Sequence, residues 1–168
     1  MSNAEDEVDI IVAAWQTQRP DLDVEPLAVL SRITRLAHHL DRARAEAFEA
    51  HDLETWEFDV LAALRRVGAP FVLSAGELMR QTHVTSGSMT NRINRLSTSK
   101  MVNRLPDPAD GRGVLVELTA VGLARVDAAL SDLLQREHAI LDVLPADERT
   151  ALAQSLKNLI APFSNEGQ

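Results

Sequence analysis

Residues 74–117, SAGELMRQTHVTSGSMTNRINRLSTSKMVNRLPDPADGRGVLVE, contain the most informative pattern of the sequence. Ser74 and Glu77 have the spacing of a capping box, in which each side chain binds the backbone N–H of the other residue. Residues 83–84 interrupt the helical pattern, and Thr85 is a favourable N-cap for a second helix. The segment therefore predicts a helix, a tight turn and a second helix.

The second predicted helix has one apolar face and one face of short polar side chains. Met89, Ile93 and Leu96 recur at i, i+4 and i+7, which places them together on an inward face. Asn and Arg can pair with base edges in a major groove, and Ser and Thr can bind bases or phosphates. We therefore predict DNA contacts from the outer residues, which are Ser86, Ser88, Thr90, Asn91, Asn94 and Arg95.

A two-stranded ribbon with a charged tip is predicted after this helix. Val102–Leu105 and Val114–Glu117 have strand composition, and Pro and Gly mark the loop between them. Arg112 lies at the tip, where Asp110 is close enough in sequence to orient its guanidinium. A cation beside a recognition helix suits a minor-groove or phosphate contact, so we assign Arg112 to DNA as well.

The charge of the chain is unevenly distributed. The net charge is −8, which by itself argues against a nucleic-acid partner. Residues 80–112, however, hold six basic and two acidic residues, a local charge of +4, while the remainder of the chain carries −12. A basic patch on an acidic body suits a DNA-binding protein and limits unspecific binding.

Composition excludes several classes of protein. No apolar run approaches the ~20 residues of a membrane span, and the acidic N-terminus does not resemble a signal peptide, so we expect a cytoplasmic protein. The absence of Cys excludes disulfides and thiol catalysis. No paired carboxylates, phosphate-binding Gly loop or activated nucleophile is recognisable, and no acid or Cys completes a metal site around the histidines. We expect no enzyme, no cofactor and no metal.

The remaining segments predict helices with more apolar surface than one small module covers. These helices span residues 5–17, 25–50, 53–67, a long segment from Thr119, and Asp147–Ala161. A symmetric homodimer would bury the excess and would place two recognition helices roughly 34–36 Å apart, about one DNA turn. The expected fold is mainly α with a small β-wing, a winged helix-turn-helix dimerised through long N- and C-terminal helices.

This organisation divides the chain into four parts. They are an N-terminal helical arm at 1–20, a dimerisation helix at 21–52, a winged helix-turn-helix DNA-binding lobe at 53–118 and C-terminal dimerisation helices at 119–168.

The order of these motifs resembles the multiple antibiotic resistance regulator (MarR) family over about residues 25–162. The resemblance rests on the helix-turn-helix, the ribbon with Asp-Pro-Ala-Asp-Gly-Arg at 107–112, and Val-Glu-Leu-Thr-x-x-Gly at 116–122. Many members have a basic residue where Ala109 stands, so the wing tip has less positive charge here. The resemblance implies a transcription factor that binds a near-palindromic operator, usually as a repressor, and dissociates from it when a small ligand binds.

A narrower resemblance is to the urate-responsive members of that family. Their pattern includes an N-terminal helix with a Trp, an Asp in the context Trp-x-x-Asp-Val-Leu, an Arg seven residues later, and an Arg in the recognition helix. Trp15, Asp59, Arg66 and Arg92 match these positions. The resemblance implies that they form an anion-binding pocket for urate or a related purine. The ligand remains open, because other relatives respond to small organic acids such as citrate or aconitate.

The spacing of these residues is compatible with a pocket but also with simpler roles. Asp59 and Arg66 are seven residues apart on one helical stripe with alanines between them, which predicts a groove with a charge at each end. Arg66 could hold an anion through charge-assisted hydrogen bonds, and Arg92 lies at the edge of the apolar face, where it could transmit the response. Asp59 and Arg66 could equally be a stabilising pair on a solvated face, and Arg92 a phosphate contact. A winged-helix interaction module without a ligand is the remaining alternative.

Overall fold

The computed structural model describes residues 5–108 and 113–165. Helices α1 (Glu7–Gln18) and α2 (Glu25–Glu49) are followed by α3 (Thr55–Arg66), strand β1 (Val72–Ser74), α4 (Ala75–Thr82) and α5 (Ser86–Thr98). Strands β2 (Val102–Pro106) and β3 (Val114–Leu118) precede α6 (Ala120–Leu141), α7 (Ala146–Ile160) and a 3-10 helix (Ala161–Asn165). Contacts divide the chain into two units, one ending at Glu46 and one beginning at Ala47.

In the first unit, ion pairs connect α1 to α2. The side chain of Asp6 caps α1 by accepting from the N–H groups of Val8 and Asp9, and Asp9 binds back to the N–H of Asp6. Arg32 of α2 contacts Asp6 and Asp9, each at 2.8 Å. Arg35 adds a contact to Glu7 at 3.2 Å.

The core of the second unit is built around α3. Seven residues of this helix are buried, because α3 packs against α4, α6 and β3. Phe58 stacks on Phe48, the penultimate residue of α2, with ring centroids 4.0 Å apart. Trp56 is partly buried and packs against this core from its edge. The largest fully buried side chains of this core are Phe48, Leu61, Leu64, Leu78, Met89, Leu96, Val60, Val102, Val116 and Val126.

The sheet has three strands, whereas the sequence predicted a two-stranded ribbon. Its order is β1-β3-β2, both pairings are antiparallel, and Val72 faces Glu117 while Val102 faces Leu118. Strand β1 has three residues, which is too short to show the alternation that reveals a strand in sequence. It ends at Ser74, the N-cap of α4, so the short strand fixes where the helix-turn-helix begins.

The predicted helix starts agree with the observed caps. Ser74 accepts from the N–H of Glu77 at 3.2 Å, and the carboxylate of Glu77 accepts from the N–H of Ser74 at 2.8 Å, which confirms the capping box. Thr119 caps α6 by accepting from the N–H of Gly122 at 3.1 Å. Thr85 occupies the N-cap position of α5, but its hydroxyl donates to the hydroxyl of Ser88 at 3.2 Å.

Candidate nucleic-acid interface

The turn between α4 and α5 sets the direction of the second helix of the motif. His83 adopts a left-handed conformation with φ of 53° and ends α4, and its N–H donates to the carbonyl of Met79. Met89, Ile93 and Leu96 are buried beneath α5, as their spacing predicted. The opposite face of α5 is therefore turned to solvent, and each of the predicted outer residues is exposed: Ser86, Ser88, Thr90, Asn91, Asn94 and Arg95.

Several of these outer side chains already have partners within the chain. The hydroxyl of Thr90 donates to the carbonyl of Ser86 at 3.0 Å, a bond along the helix. The amide oxygen of Asn94 accepts from Nη1 of Arg104 at 2.6 Å, which connects α5 to strand β2. Arg104 belongs to the predicted basic patch but not to the predicted contact residues. The signal in the sequence that could have indicated a DNA contact was a basic residue in the predicted strand that follows the recognition helix.

The predicted wing contact, Arg112, lies outside the described residues, as do Ala109 and Asp110. The strands that lead to this tip are described. The N–H of Asp107 donates to the carbonyl of Gly113 at 3.2 Å, so β2 and β3 stay paired up to the base of the tip.

Arg95 contacts the N-terminal end of α3. Its Nη2 forms an ion pair with Oε1 of Glu54, and its guanidinium carbon lies 4.7 Å from the centroid of the Trp56 ring. The indole N–H of Trp56 donates to Oε2 of Glu54 at 2.7 Å. The hydrogen bond from Trp56, followed by that from Arg95, lowers the pKa of Glu54 below its ordinary value, so this carboxylate is charged at neutral pH.

Glu54 and Trp56 are not among the residues that the sequence predicts to bind DNA or a ligand. They are 41 and 39 positions from Arg95 in the chain, so no local spacing connects them with the recognition helix. Only the packing of α3 against the helix-turn-helix unit brings them there. The signal in the sequence was Trp56 itself, a large aromatic residue that is also the Trp of the Trp-x-x-Asp-Val-Leu motif around Asp59.

The predicted ligand residues lie on three helices. Asp59 and Arg66 are on α3, and Nη2 of Arg66 is 3.5 Å from the amide oxygen of Gln81 on α4. Arg92 of α5 lies with its guanidinium carbon 5.4 Å from the centroid of Trp56. Trp15 belongs to α1 in the first unit and is 49% exposed.

The alanine stripe between Asp59 and Arg66 does not form the predicted open groove. Ala62 and Ala63 are buried in the core of the second unit, because this side of α3 is covered by its packing neighbours. The helical periodicity placed the two charged residues on one stripe, but it could not show that the stripe is covered.

Within residues 5–108 and 113–165, no group of His, Asp and Glu could hold a metal ion. In the same ranges, every helix lacks the combination of length and apolar character that a bilayer span requires.

The sequence of this chain is similar to the sequences of one known protein family. A model of the MarR family matches residues 51–113. The chain is 35% identical over 146 residues to the HTH-type transcriptional regulator PecS of Dickeya dadantii, an alignment that covers 87% of this chain and 88% of PecS. It is 30% identical over 150 residues to the HTH-type transcriptional repressor NicR of Pseudomonas putida, which covers 87% of this chain and 93% of NicR.

A solved structure supports the same assignment. A crystal structure of an E. coli MarR mutant complexed with operator DNA matches with a TM-score of 0.67 and 29% identity, and the match covers 83% of this chain and 99% of that chain. This score indicates that the two chains share a fold. The chain therefore belongs to the MarR family of transcription regulators.

Proposed function

We propose that this regulator is a homodimeric repressor that binds a near-palindromic operator and releases it when an anionic metabolite binds. The observation that carries the proposal is the outer face of α5, which is exposed, polar and free of acidic residues. Such a face fits a major groove, where short polar side chains and Arg bind base edges and phosphates. The E. coli relative crystallised with operator DNA supports DNA as the partner.

The DNA contacts in this proposal are the exposed residues of α5 together with the wing. Asn91, Asn94 and Arg95 have the side chains suited to base edges, whereas Ser86, Ser88 and Thr90 suit phosphates near the start of the helix. Arg112 is proposed for the wing on the basis of sequence alone. Arg104, which binds Asn94 at 2.6 Å, would orient that amide for DNA.

The homodimer in this proposal is supported by apolar surface on the terminal helices. Helix α7 buries none of its own residues, although it is a well-formed helix of 15 residues. Exposed apolar surface on a helix commonly marks a site of protein–protein contact. The exposed large apolar side chains of α2, α6 and α7 are Val29, Leu30, Ile33, Leu36, Val121, Leu130, Leu134, Leu141, Leu152, Leu159 and Ile160.

The ligand in this proposal is urate or a related purine, bound by Asp59, Arg66 and Arg92 of the second unit. Trp15 is proposed as a ligand residue on the family resemblance alone. Arg66 has an exposed guanidinium that could pair with an anion, and a bound anion would repel Asp59. Arg92 is a residue of the recognition helix, so its movement toward an anion would displace that helix. A small organic acid such as citrate or aconitate is the alternative ligand, and a regulator without any small-molecule ligand is the second alternative.

A fluorescence-anisotropy titration tests this function. The purified protein is titrated into a labelled duplex from upstream of its own gene, with and without urate, at one fixed salt concentration because phosphate contacts make affinity steeply salt-dependent. Specific binding that weakens with urate is expected. Binding that ignores urate would keep the DNA-binding function and exclude urate, after which other purines and tricarboxylates are tested in the same assay. Equal binding to this duplex and to a scrambled one would contradict the operator assignment.

A further inference from the structure

The carboxylate of Glu54 forms an ion pair with the guanidinium of Arg95, one of the residues proposed to contact DNA. One carboxylate oxygen of Glu54 pairs with Nη2 of Arg95, and the other accepts from the indole of Trp56. The Trp56 ring in turn lies 4.7 Å from the guanidinium carbon of Arg95. These three side chains form a closed set of contacts, which we call the Glu54 clamp.

The clamp brings negative charge to a helix that has none of its own. The sequence from Leu78 to Pro106 contains no Asp or Glu. Glu54 is about half exposed, as is Arg95, so the pair lies at the surface where DNA phosphates would approach. Glu57 adds a second carboxylate on the same side and lines a surface hollow together with Asn94, Arg95, Thr98 and Ser99.

We propose that Glu54 competes with DNA for Arg95, so that operator binding has to break the Glu54–Arg95 ion pair. The inference rests on the proposed DNA-binding function of α5. A guanidinium paired with a carboxylate carries little net charge, so it attracts a phosphate less strongly than an unpaired guanidinium does. Glu54 therefore lowers the affinity for the operator. It also changes how steeply that affinity falls as the salt concentration rises.

Trp56 gives the clamp its geometry. The indole fixes the carboxylate through its N–H and covers one face of the Arg95 guanidinium, so both partners of the ion pair are held before DNA arrives. Arg92 lies over the same ring at 5.4 Å. The aromatic residue thereby connects the two arginines of α5, one proposed for the ligand response and one for DNA.

The test replaces Glu54 by Gln, which keeps an oxygen for the Trp56 N–H but removes the charge. Glu49→Gln is the matched control, because Glu49 is an exposed acid five residues earlier. Operator affinity is measured by fluorescence anisotropy over a series of salt concentrations on the duplex from upstream of the gene. We expect Glu54→Gln to bind about two- to fivefold more tightly, the range for loss of an exposed ion pair, and Glu49→Gln to match the unmodified protein.

The salt dependence and a second background separate competition from a general charge effect. In the unmodified protein, DNA binding would free the Glu54 carboxylate, which would then attract a cation from solution. Glu54→Gln has no such carboxylate, so the slope of log K against log salt should become steeper by up to about 0.9. In an Arg95→Ala background Glu54→Gln should give no gain, because the ion pair is already absent. Thermal unfolding of each variant verifies that it is folded.

Three results would overturn the inference, and they differ in what else they exclude. If the unmodified protein binds the duplex specifically but Glu54→Gln binds no more tightly, Glu54 does not compete and the proposed function stands. A gain that persists in the Arg95→Ala background would assign the effect to general charge. If the unmodified protein shows no specific DNA binding, the proposed function fails and the inference fails with it.

Discussion

At the residue scale, the ligand response should depend on Asp59 and Arg92 while DNA binding survives. Asp59→Asn removes the charge that an anion would repel, and Arg92→Ala removes the side chain through which α5 would be pulled. We expect both variants to remain folded dimers that bind the operator, with the urate effect on anisotropy reduced at least about tenfold, a coupling loss of roughly 1.4 kcal/mol.

The control for this pair of variants is Asp147→Asn, which removes an exposed carboxylate in the first turn of α7. It should respond to urate like the unmodified protein. Because coupling between binding sites is reciprocal, urate affinity should fall by the same factor when the operator is bound. A full response to urate in both Asp59→Asn and Arg92→Ala would show that these residues do not transmit it.

The residue scale is also where sequence reasoning was least complete. Exposure of the outer face of α5 followed from the positions of Met89, Ile93 and Leu96, since helical periodicity is a local property. The partners of that face did not follow, because Glu54 meets Arg95 across 41 positions and Arg104 meets Asn94 across a turn between helix and strand. Tertiary packing decides such contacts.

At the element scale, the junction between β2, β3 and α6 tolerates no side chain at Gly122. A Cβ built there would lie 2.2 Å from the carbonyl oxygen of Met101 and 2.8 Å from Cδ1 of Leu118. The backbone carbonyl cannot move aside, because it also accepts from the N–H of Thr119 at 3.1 Å. We expect Gly122→Ala to lower the free energy of unfolding by about 1–3 kcal/mol, the usual effect of overpacking, as measured by urea denaturation.

Gly76→Ala is the matched control for that substitution. Gly76 is also in the first turns of a helix, but its nearest neighbour would be Oγ of Ser74 at 3.9 Å, an ordinary contact. Alanine should raise the free energy of unfolding there by roughly 0.5–1 kcal/mol, because glycine loses more conformational entropy on folding. Equal stability of the two alanine variants would contradict the close approach at Gly122.

Helix α1 should depend on Arg32, which binds the N-cap residue Asp6 and Asp9 of the first turn. We expect Arg32→Ala to increase the rate of hydrogen exchange of α1 amides, because it removes the contacts to Asp6 and Asp9 at 2.8 Å. Arg42→Ala is the control, since Arg42 pairs with Glu46 within α2 alone. Unchanged protection of α1 in Arg32→Ala would show that the ion pairs do not hold this helix.

The same ion pairs predict a pH dependence of α1. The hydrogen bond from Arg32 lowers the pKa of Asp6 to about 2, from an ordinary value near 3.8. A carboxyl group with a lowered folded-state pKa stabilises the structure above the unfolded pKa, and this contribution is lost as the pH falls through the folded value. Protection factors of α1 amides should therefore hold from neutral pH to about pH 4 and decline between about pH 4 and pH 2. A decline already at pH 5 would contradict this assignment.

Element boundaries were predictable wherever a capping residue marks them. Ser74 and Thr119 gave the starts of α4 and α6 because the capping interaction is local. Strand β1 was not predictable, because three residues carry no periodicity and their pairing with β3 crosses more than 40 positions.

At the scale of the whole molecule, the order of the secondary-structure elements was predictable from the sequence. The succession of helix-turn-helix, ribbon and long terminal helices predicted a winged helix, and the family match confirms it. The local charge of +4 on an acidic chain predicted a DNA-binding protein. In the sequence, a partner subunit is indicated by the excess of apolar residues on the terminal helices.

That excess predicts how the dimer can be broken. Leu30→Glu on α2 and Leu134→Glu on α6 each place a charge on an exposed apolar face, where an interface would have to bury it without a partner. We expect each variant to sediment as a folded monomer at micromolar concentration and to bind the operator at least tenfold more weakly, since each monomer reaches one half-site. Val67→Glu, at an exposed apolar residue at the end of α3, should remain dimeric. Dimers that persist in both leucine variants would place the subunit interface elsewhere.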